Sequence, residues 1–297
     1  MRYINKGDTL KSNRLVPYLF LSPSLFLFCT VLLYPMIDNL YLSFTNWDGK
    51  SQPKFVGLEN YLYFLKDPMT YTSISNTLIW VALAIVIPVT IALIVAVMVE
   101  GRKLETLYTM MFGFGALSGV VVGLIWKLVY EPSFGMLNTI LRSIGLSSLA
   151  LPWLGLPGVN TYFIIIAYTW SWMPFPMIIF ITGLKSIPVD IINAAKVDGA
   201  EGWTLFKNVT LPLLKPFTIV NVALTILNTL KVFDIIYVTT GGGPFRSSET
   251  LAVTMFFDAF SLRQYGYGAA VGTILFAIVV LVTIAYLHYS FKGEVGY

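Results

Sequence analysis

From Tyr267 to Phe291 the chain runs through small, branched aliphatic and aromatic residues without one Asp, Glu, Lys or Arg. A helix rises about 1.5 Å per residue, so roughly 20 such residues cross the hydrocarbon core of a bilayer. Several other stretches are comparably long and apolar, and together they exclude a fold in water. Of the 297 residues 57% are hydrophobic and 11% charged, against about 25% charged in a soluble domain. A chain of this composition cannot cover a water-facing surface, and it reads as polytopic and helical.

The expected fold class is all-α, a membrane protein with six transmembrane helices. The apolar blocks are Leu15–Ile37, Asn76–Val99, Thr106–Tyr130, Asn160–Gly183, Phe217–Val238 and Tyr267–Phe291. Residues 1–14 form an N-terminal tail ahead of the six-span domain 15–297, and a polar segment, 186–215, separates spans four and five. Aromatics such as Tyr34, Trp47, Trp126, Tyr130 and Tyr289 sit near the block ends, as interfacial belts do. Gly113, Gly115, Gly119 and Gly123 dilute the third block, and would let another helix approach closely. The first block exceeds the core of a cleaved signal and has no small-residue cleavage pattern after it, so it is expected to stay. One cysteine, Cys29, gives no internal disulfide framework.

Lysine and arginine set the expected orientation. With both termini cytoplasmic, Arg102, Lys103, Lys185, Lys196, Lys207, Lys215 and Lys292 fall inside, and the longer outer loops keep few basic residues. The net charge of +4 then follows from topology and calls for no nucleic acid.

Segment 186–215 reads as two short helices around a bend. Pro188 fits a first turn, Asp190 suits the positive end of the helix dipole, and Gly199 can take the positive φ that ends a helix. Ala194 and Ala195 leave the backbone open to close approach. The following helix, through Trp203, Leu205 and Phe206, would stop near Leu211-Pro212. Two readings stand: an interfacial amphipathic connector, or a knob that docks into a soluble partner.

Asn193-Ala194-Ala195, three residues, Gly199, nine residues and Val209-Thr210-Leu211-Pro212 resemble the signature of permease subunits of binding-protein-dependent ABC importers, Glu-Ala-Ala, Gly, Ile-x-Leu-Pro at the same spacing. Ile187-Pro188, Val197-Asp198-Gly199-Ala200, and Thr240-Gly241-Gly242-Gly243-Pro244 followed by Glu249-Thr250-Leu251 are similar to the carbohydrate-uptake branch. The resemblance spans nearly the whole chain and implies a type I permease-like fold. It also implies that Asn193, Ala194, Ala195, Asp198, Gly199, Leu211 and Pro212 form the contact with an ATPase subunit. Asn193 stands where the family commonly has Glu, and an amide cannot supply the stronger, charge-assisted contact. Implied partners are a second permease, two ATPases, an extracytoplasmic solute-binding protein, a sugar and membrane lipid, in a bacterial cytoplasmic membrane.

No cofactor is expected on this chain, ATP and Mg belonging to the partner ATPases. Gly241-Gly242-Gly243-Pro244 lacks the Gly-Lys-Ser/Thr of a phosphate loop. No Cys/His cluster has metal-ligand spacing, and no carboxylate pair lies mid-membrane for acid–base work. His288, the one histidine, sits near a span end and reads as a neutral packed or interfacial ring. Catalytic and metal sites are therefore expected to be absent.

In the fifth block Asn221, Thr225, Asn228 and Lys231 recur at helical spacing on one face, with Asp234 following. Such a stripe is either interhelical glue or the lining of a translocation path, and a charged pair beside amides favours the path. Tyr168, Trp170 and Trp172, next to Pro174 and Pro176, would lend aromatic faces, which suit a sugar ring. The sequence thus points to one permease of an ATP-driven sugar or oligosaccharide importer. The rivals are the same fold carrying glycerol-phosphate or another small polar solute, and a membrane-embedded transferase or scaffold.

Overall fold

The computed structural model describes residues 15–100, 113 and 115–291. Helices dominate, and among the described residues β pairing is confined to one antiparallel bridge between Thr45 and Phe55. The first span joins α1 (Leu15–Leu27) through a π turn (Phe28–Leu33) to α2 (Tyr34–Leu42). After a short α3 (Glu59–Lys66), α4 (Pro68–Val99) runs 32 residues, about 48 Å at the standard rise. Its start is specified locally: the Asp67 side chain accepts from the Met69 N–H at 3.0 Å, and Pro68 occupies the first turn, where its missing N–H costs nothing.

α5 (Gly119–Val129) and α6 (Met136–Ser143) follow. Next come α7 (Asn160–Trp172) and α8 (Pro174–Ser186), bent by 44° where Pro174 and Pro176 interrupt the ladder. Segment 186–215 holds α9 (Val189–Val197), α10 (Gly202–Leu205), a π turn and α11 (Leu211–Leu213). A 65° bend then leads into α12 (Lys215–Thr229). α13 (Asp234–Thr239), α14 (Leu251–Phe256) and α15 (Tyr265–Phe291) complete the chain.

By length and composition the described residues contain three helices able to cross a membrane, or up to five when each bent pair is one span. The expected count of six is therefore not confirmed by the described residues. Residues 101–112, and with them much of the expected third span, lie outside the described residues, and α5 alone is too short. The expected fifth span, Phe217–Val238, is not continuous either: α12 ends at Thr229 and α13 starts at Asp234. Helix α4 begins earlier than Asn76, and the first span ends later than Ile37.

Three packed clusters hold the bundle. Trp80, Val122, Ile164, Ile165, Ile236 and Val253 form the largest. Val89, Ala92 and Ala96 meet Met177, Phe180, Leu184 and Leu214 near segment 186–215. Phe64, Leu251, Tyr267, Val271 and Leu275 form the third. Helices α5 and α13 approach closely because α5 presents glycine: a Cβ at Gly119 would lie 3.0 Å from Asp234 Cβ, and one at Gly123 would lie 3.3 Å from Val238 Cβ. Substituting Gly119→Leu should therefore lower stability by about 1–3 kcal/mol, the usual cost of overpacking, measured as a reduced Tm of the purified chain in detergent.

Candidate functional site

A cavity of about 320 Å³ opens where α12 gives way to α13. Its walls are Gly115, Leu117 and Gly119, then Tyr168, Ser171 and Trp172 of α7, Asn228 of α12, and Lys231 to Ile235. Leu230 to Phe233 form the interruption. Hydroxyls and amides upstream bond back to their own helix: Thr225 Oγ1 to the Asn221 carbonyl at 2.8 Å, Asn228 Nδ2 to that of Leu224 at 2.9 Å, and Thr229 Oγ1 to that of Thr225 at 2.7 Å. Such back-bonding weakens and bends helices. Asp234 restarts the helix with its carboxylate in the first turn, where the dipole favours it. In a membrane, irregular backbone of this kind persists only inside protein or beside a cavity.

The polar stripe of the fifth block divides in two. Asn221 and Thr225 are buried and do not border the cavity. Asn221 Nδ2 donates to the Pro176 carbonyl at 3.2 Å, and Thr225 Oγ1 accepts from Trp172 Nε1 at 3.1 Å, so they tie α12 to α8 and α7. Asn228 and Lys231 do line the cavity. Lys231 and Asp234 share the cavity wall but make no ion pair with each other within 4.0 Å, because the interruption separates them.

Of the three expected aromatics, Tyr168 and Trp172 line the cavity and stack on each other with centroids 5.9 Å apart. Trp170 turns away and meets Trp126 edge-on at 6.0 Å. The Tyr168 hydroxyl is buried without a hydrogen-bond partner. Val232, Phe233 and Ser171 are lining residues that the sequence reading did not single out. No signal marks the first two, since apolar residues in an apolar span announce nothing.

At one end of the bundle, segment 186–215 is largely exposed, with Leu214 buried against α4 and α8 and Ile187 packed on the same cluster. α9 begins after Pro188 and carries Asp190 in its first turn and Lys196 in its last. It closes where Gly199 takes φ +84°, with the Ala200 N–H reaching the Ala195 carbonyl at 2.9 Å, an αL helix cap. Asn193, Ala194, Asp198, Gly199, Leu211 and Pro212 are exposed and Ala195 half-exposed. Val197 and Trp203 are 88% and 72% exposed. Asn193 and Lys196 also border a shallow hollow with Glu100, Ile187 and Thr210. The second helix runs through Leu211-Pro212 to Leu213, slightly past the expected stop.

The opposite end holds a charge cluster that joins the loop after α13 to the turn after α14. Arg246 Nε lies 2.8 Å from both Glu249 carboxylate oxygens, and its Nη2 is 3.6 Å from Asp258 Oδ1. Both carboxylates are almost fully buried. Burial pushes the Asp258 carboxyl up to about 6; Arg246 pulls it down, while Glu249 and Asp67 add to the rise. Burial opposes the charge of Arg246, but its bonds and attraction to Glu249 raise its pKa above the ordinary value. An acid inside the apolar run Leu251–Ser261 is the sequence signal that could have pointed here.

Helical bundles with a cavity at an interrupted span recur among membrane transport proteins. A chain of the bacterial alginate ABC transporter, solved in complex with alginate pentasaccharide-bound periplasmic protein, shares the fold: TM-score 0.81 at 20% identity, covering 93% of this chain and 94% of that one. A probable ABC transporter permease protein of Pyrococcus horikoshii is 35% identical over 94% of this chain and 97% of its own length. The trehalose/maltose transport system permease protein MalF of Thermococcus litoralis is 34% identical, over 91% and 92% respectively. Residues 14–292 match the model of the binding-protein-dependent transport system inner membrane component, and the chain belongs to that family. It is a multi-pass membrane protein.

Asp258 makes stability depend on pH. Its carboxyl, pushed by burial up to about 6, lies above the ordinary value of 3.8, so its contribution is fully present below the lower value and is lost as pH rises through the upper one. Asp258→Asn should therefore raise the Tm at pH 7.5 relative to the parent, and the gap should close toward pH 4.5, measured by thermal unfolding in detergent across that range.

Proposed function

We propose that this chain is one of two permease subunits of an ATP-driven ABC importer for a sugar or oligosaccharide. The observation that carries the reading is the cavity at the interrupted span. Asn228, Ser171, Lys231 and Asp234 offer amide, hydroxyl and both signs of charge, while Tyr168 and Trp172 offer ring faces. Hydroxyls of a sugar suit the first set and its apolar ring face the second. One lysine opposed by one aspartate favours a neutral cargo over glycerol-phosphate or another anion. A relative named for trehalose/maltose transport supports the same class.

In this reading the chain crosses the membrane six times, the stretch 106–130 supplying the third crossing. Both termini and segment 186–215 lie in the cytoplasm. Asn193, Ala194, Ala195, Asp198, Gly199, Leu211 and Pro212 dock into an ATPase, which alone carries ATP and Mg; the exposure of that surface is the support. The loops at the opposite end face an extracytoplasmic solute-binding protein. Asn228, Lys231, Tyr168 and Trp172 line the path, and Asn221, Thr225 and Trp170 hold its walls together. The transferase reading has no reactive cluster to stand on, and no group of three or more His, Cys, Asp or Glu able to hold a metal occurs among the described residues.

Lys231→Met should cut solute uptake about tenfold, the worth of one hydrogen bond to a charged group, with assembly intact, as measured by radiolabelled sugar uptake beside co-purification of the subunits. Unchanged uptake with weakened assembly would remove the path reading. The double change Ala195→Asp, Gly199→Asp should abolish recovery of an ATPase in gentle-detergent affinity purification while a second permease is retained; partners that persist would leave 186–215 as an interfacial connector.

A further inference from the structure

The least regular wall of the cavity is Lys231 to Phe233, and residues outside the cavity give it its shape. Thr250 Oγ1 donates to the Val232 carbonyl at 3.0 Å, a fully buried bond to a group that no helix satisfies. The Phe233 ring packs on Phe256 at a centroid distance of 4.9 Å. Thr250 and Phe256 belong to the segment that opens and forms α14, so the wall is as well placed as that segment is.

The segment in turn is pinned to α4. Asn76 Nδ2 donates to the carbonyls of Ser247 and Glu249 at 2.8 and 2.9 Å, and Thr77 Oγ1 accepts from the Leu251 N–H at 3.0 Å. The hydroxyls of Ser73 and Thr254 lie 2.6 Å apart. Ser73, Asn76 and Thr77 share one face of α4 at i, i+3, i+4 spacing. Within this grip the Glu249 carboxylate is fixed by Arg246 Nε at 2.8 Å and by Thr254 Oγ1 at 3.0 Å. Phe245 and Arg246 adopt φ of +52° and +60° in this turn, conformations costly for residues with a Cβ and kept only where surroundings enforce them. Phe245, beside it, is 90% exposed.

We propose that Arg246 and Glu249 are positioning residues for the cavity: their ion pair, half-buried at Arg246 and buried at Glu249, holds Thr250 against the Val232 carbonyl and so fixes the wall that carries Lys231 and Asp234. The exposed loop around Phe245 and the cavity wall are then two ends of one rigid connection. The inference builds on the reading of that cavity as the translocation path, although its test does not depend on transport. The charges facing Arg246 are Glu249 and Asp258, with Asp67 acting at longer range. The two buried acids compete for one cation, and Glu249 holds it. Removing the Glu249 charge releases Arg246 toward Asp258 and loosens Thr250. Removing the Asp258 charge leaves the Glu249 pair in place.

The test reads the wall directly. In the complete transporter in native membranes, with Cys29→Ser and Lys231→Cys, the rate at which a small cationic methanethiosulfonate modifies position 231 reports its exposure. Glu249→Gln and Thr250→Val should each change that rate in the same direction by about fivefold, the worth of one buried hydrogen bond, while Asp258→Asn stays within about twofold of the parent. Thr250→Val removes a single hydroxyl at constant shape, so it decides the matter if Glu249→Gln fails to assemble. Parent-like rates in Thr250→Val, or an Asp258→Asn shift as large as that of Glu249→Gln, would overturn the proposal. Uptake by Lys231→Met bears on the path reading alone, so the two can fail separately.

Discussion

Hydrocarbon offers no hydrogen-bond partner, and most of this architecture is a response to that fact. Each place where the helical ladder is broken must find its donors and acceptors inside the protein. The freed Val232 carbonyl finds Thr250, and the Asn160 amide reaches across to the Gly243 carbonyl at 2.7 Å. Asn76 takes two carbonyls of the 247–249 turn. Polar side chains are few in the spans, and those present are mostly committed to such repairs. At the cavity, the Lys231 ammonium and the Asp234 carboxylate make no ion pair within 4.0 Å among the described residues.

The same constraint explains why the polar residues of the fifth span serve two purposes. A stripe at helical spacing looks uniform in sequence, yet its lower half faces α7 and α8 and its upper half faces open space. The division falls near the 44° bend of one neighbour at Pro174 and Pro176: Asn221 and Thr225 bond to Pro176 and Trp172 beside it, while Asn228 and Lys231 border the cavity. Glue and lining are then properties of position along one helix rather than of residue type.

Much of this was legible in the sequence. Apolar runs longer than a bilayer is thick could be little else than spans, and Pro188, Asp190 and Gly199 carried the start and end of α9 in their local chemistry. Asn228, Lys231, Tyr168 and Trp172 were readable because polar and aromatic residues stand out against aliphatic neighbours. The break at Leu230 to Phe233 was not, since no proline or glycine marks it and Val232 and Phe233 keep the hydropathy high. It follows from back-bonding hydroxyls upstream and a tertiary partner, Thr250, some way along the chain. The Arg246 cluster was hidden for a related reason: Glu249 and Asp258 read as loop acids until the turn brings them onto one guanidinium.

Helix α12 carries a mechanical consequence. It leaves the 186–215 segment at a 65° bend, is clamped to α7 and α8 by Asn221 and Thr225, and loses its ladder four residues short of α13. Its first part is tied to two neighbouring helices, and the stretch beyond its end is anchored from the other side by the Thr250 bond to the Val232 carbonyl. A rotation imposed at the segment end would therefore be resisted at the far side of the cavity, and the wall between the two anchors would be where the helix and the α14 segment pull against each other.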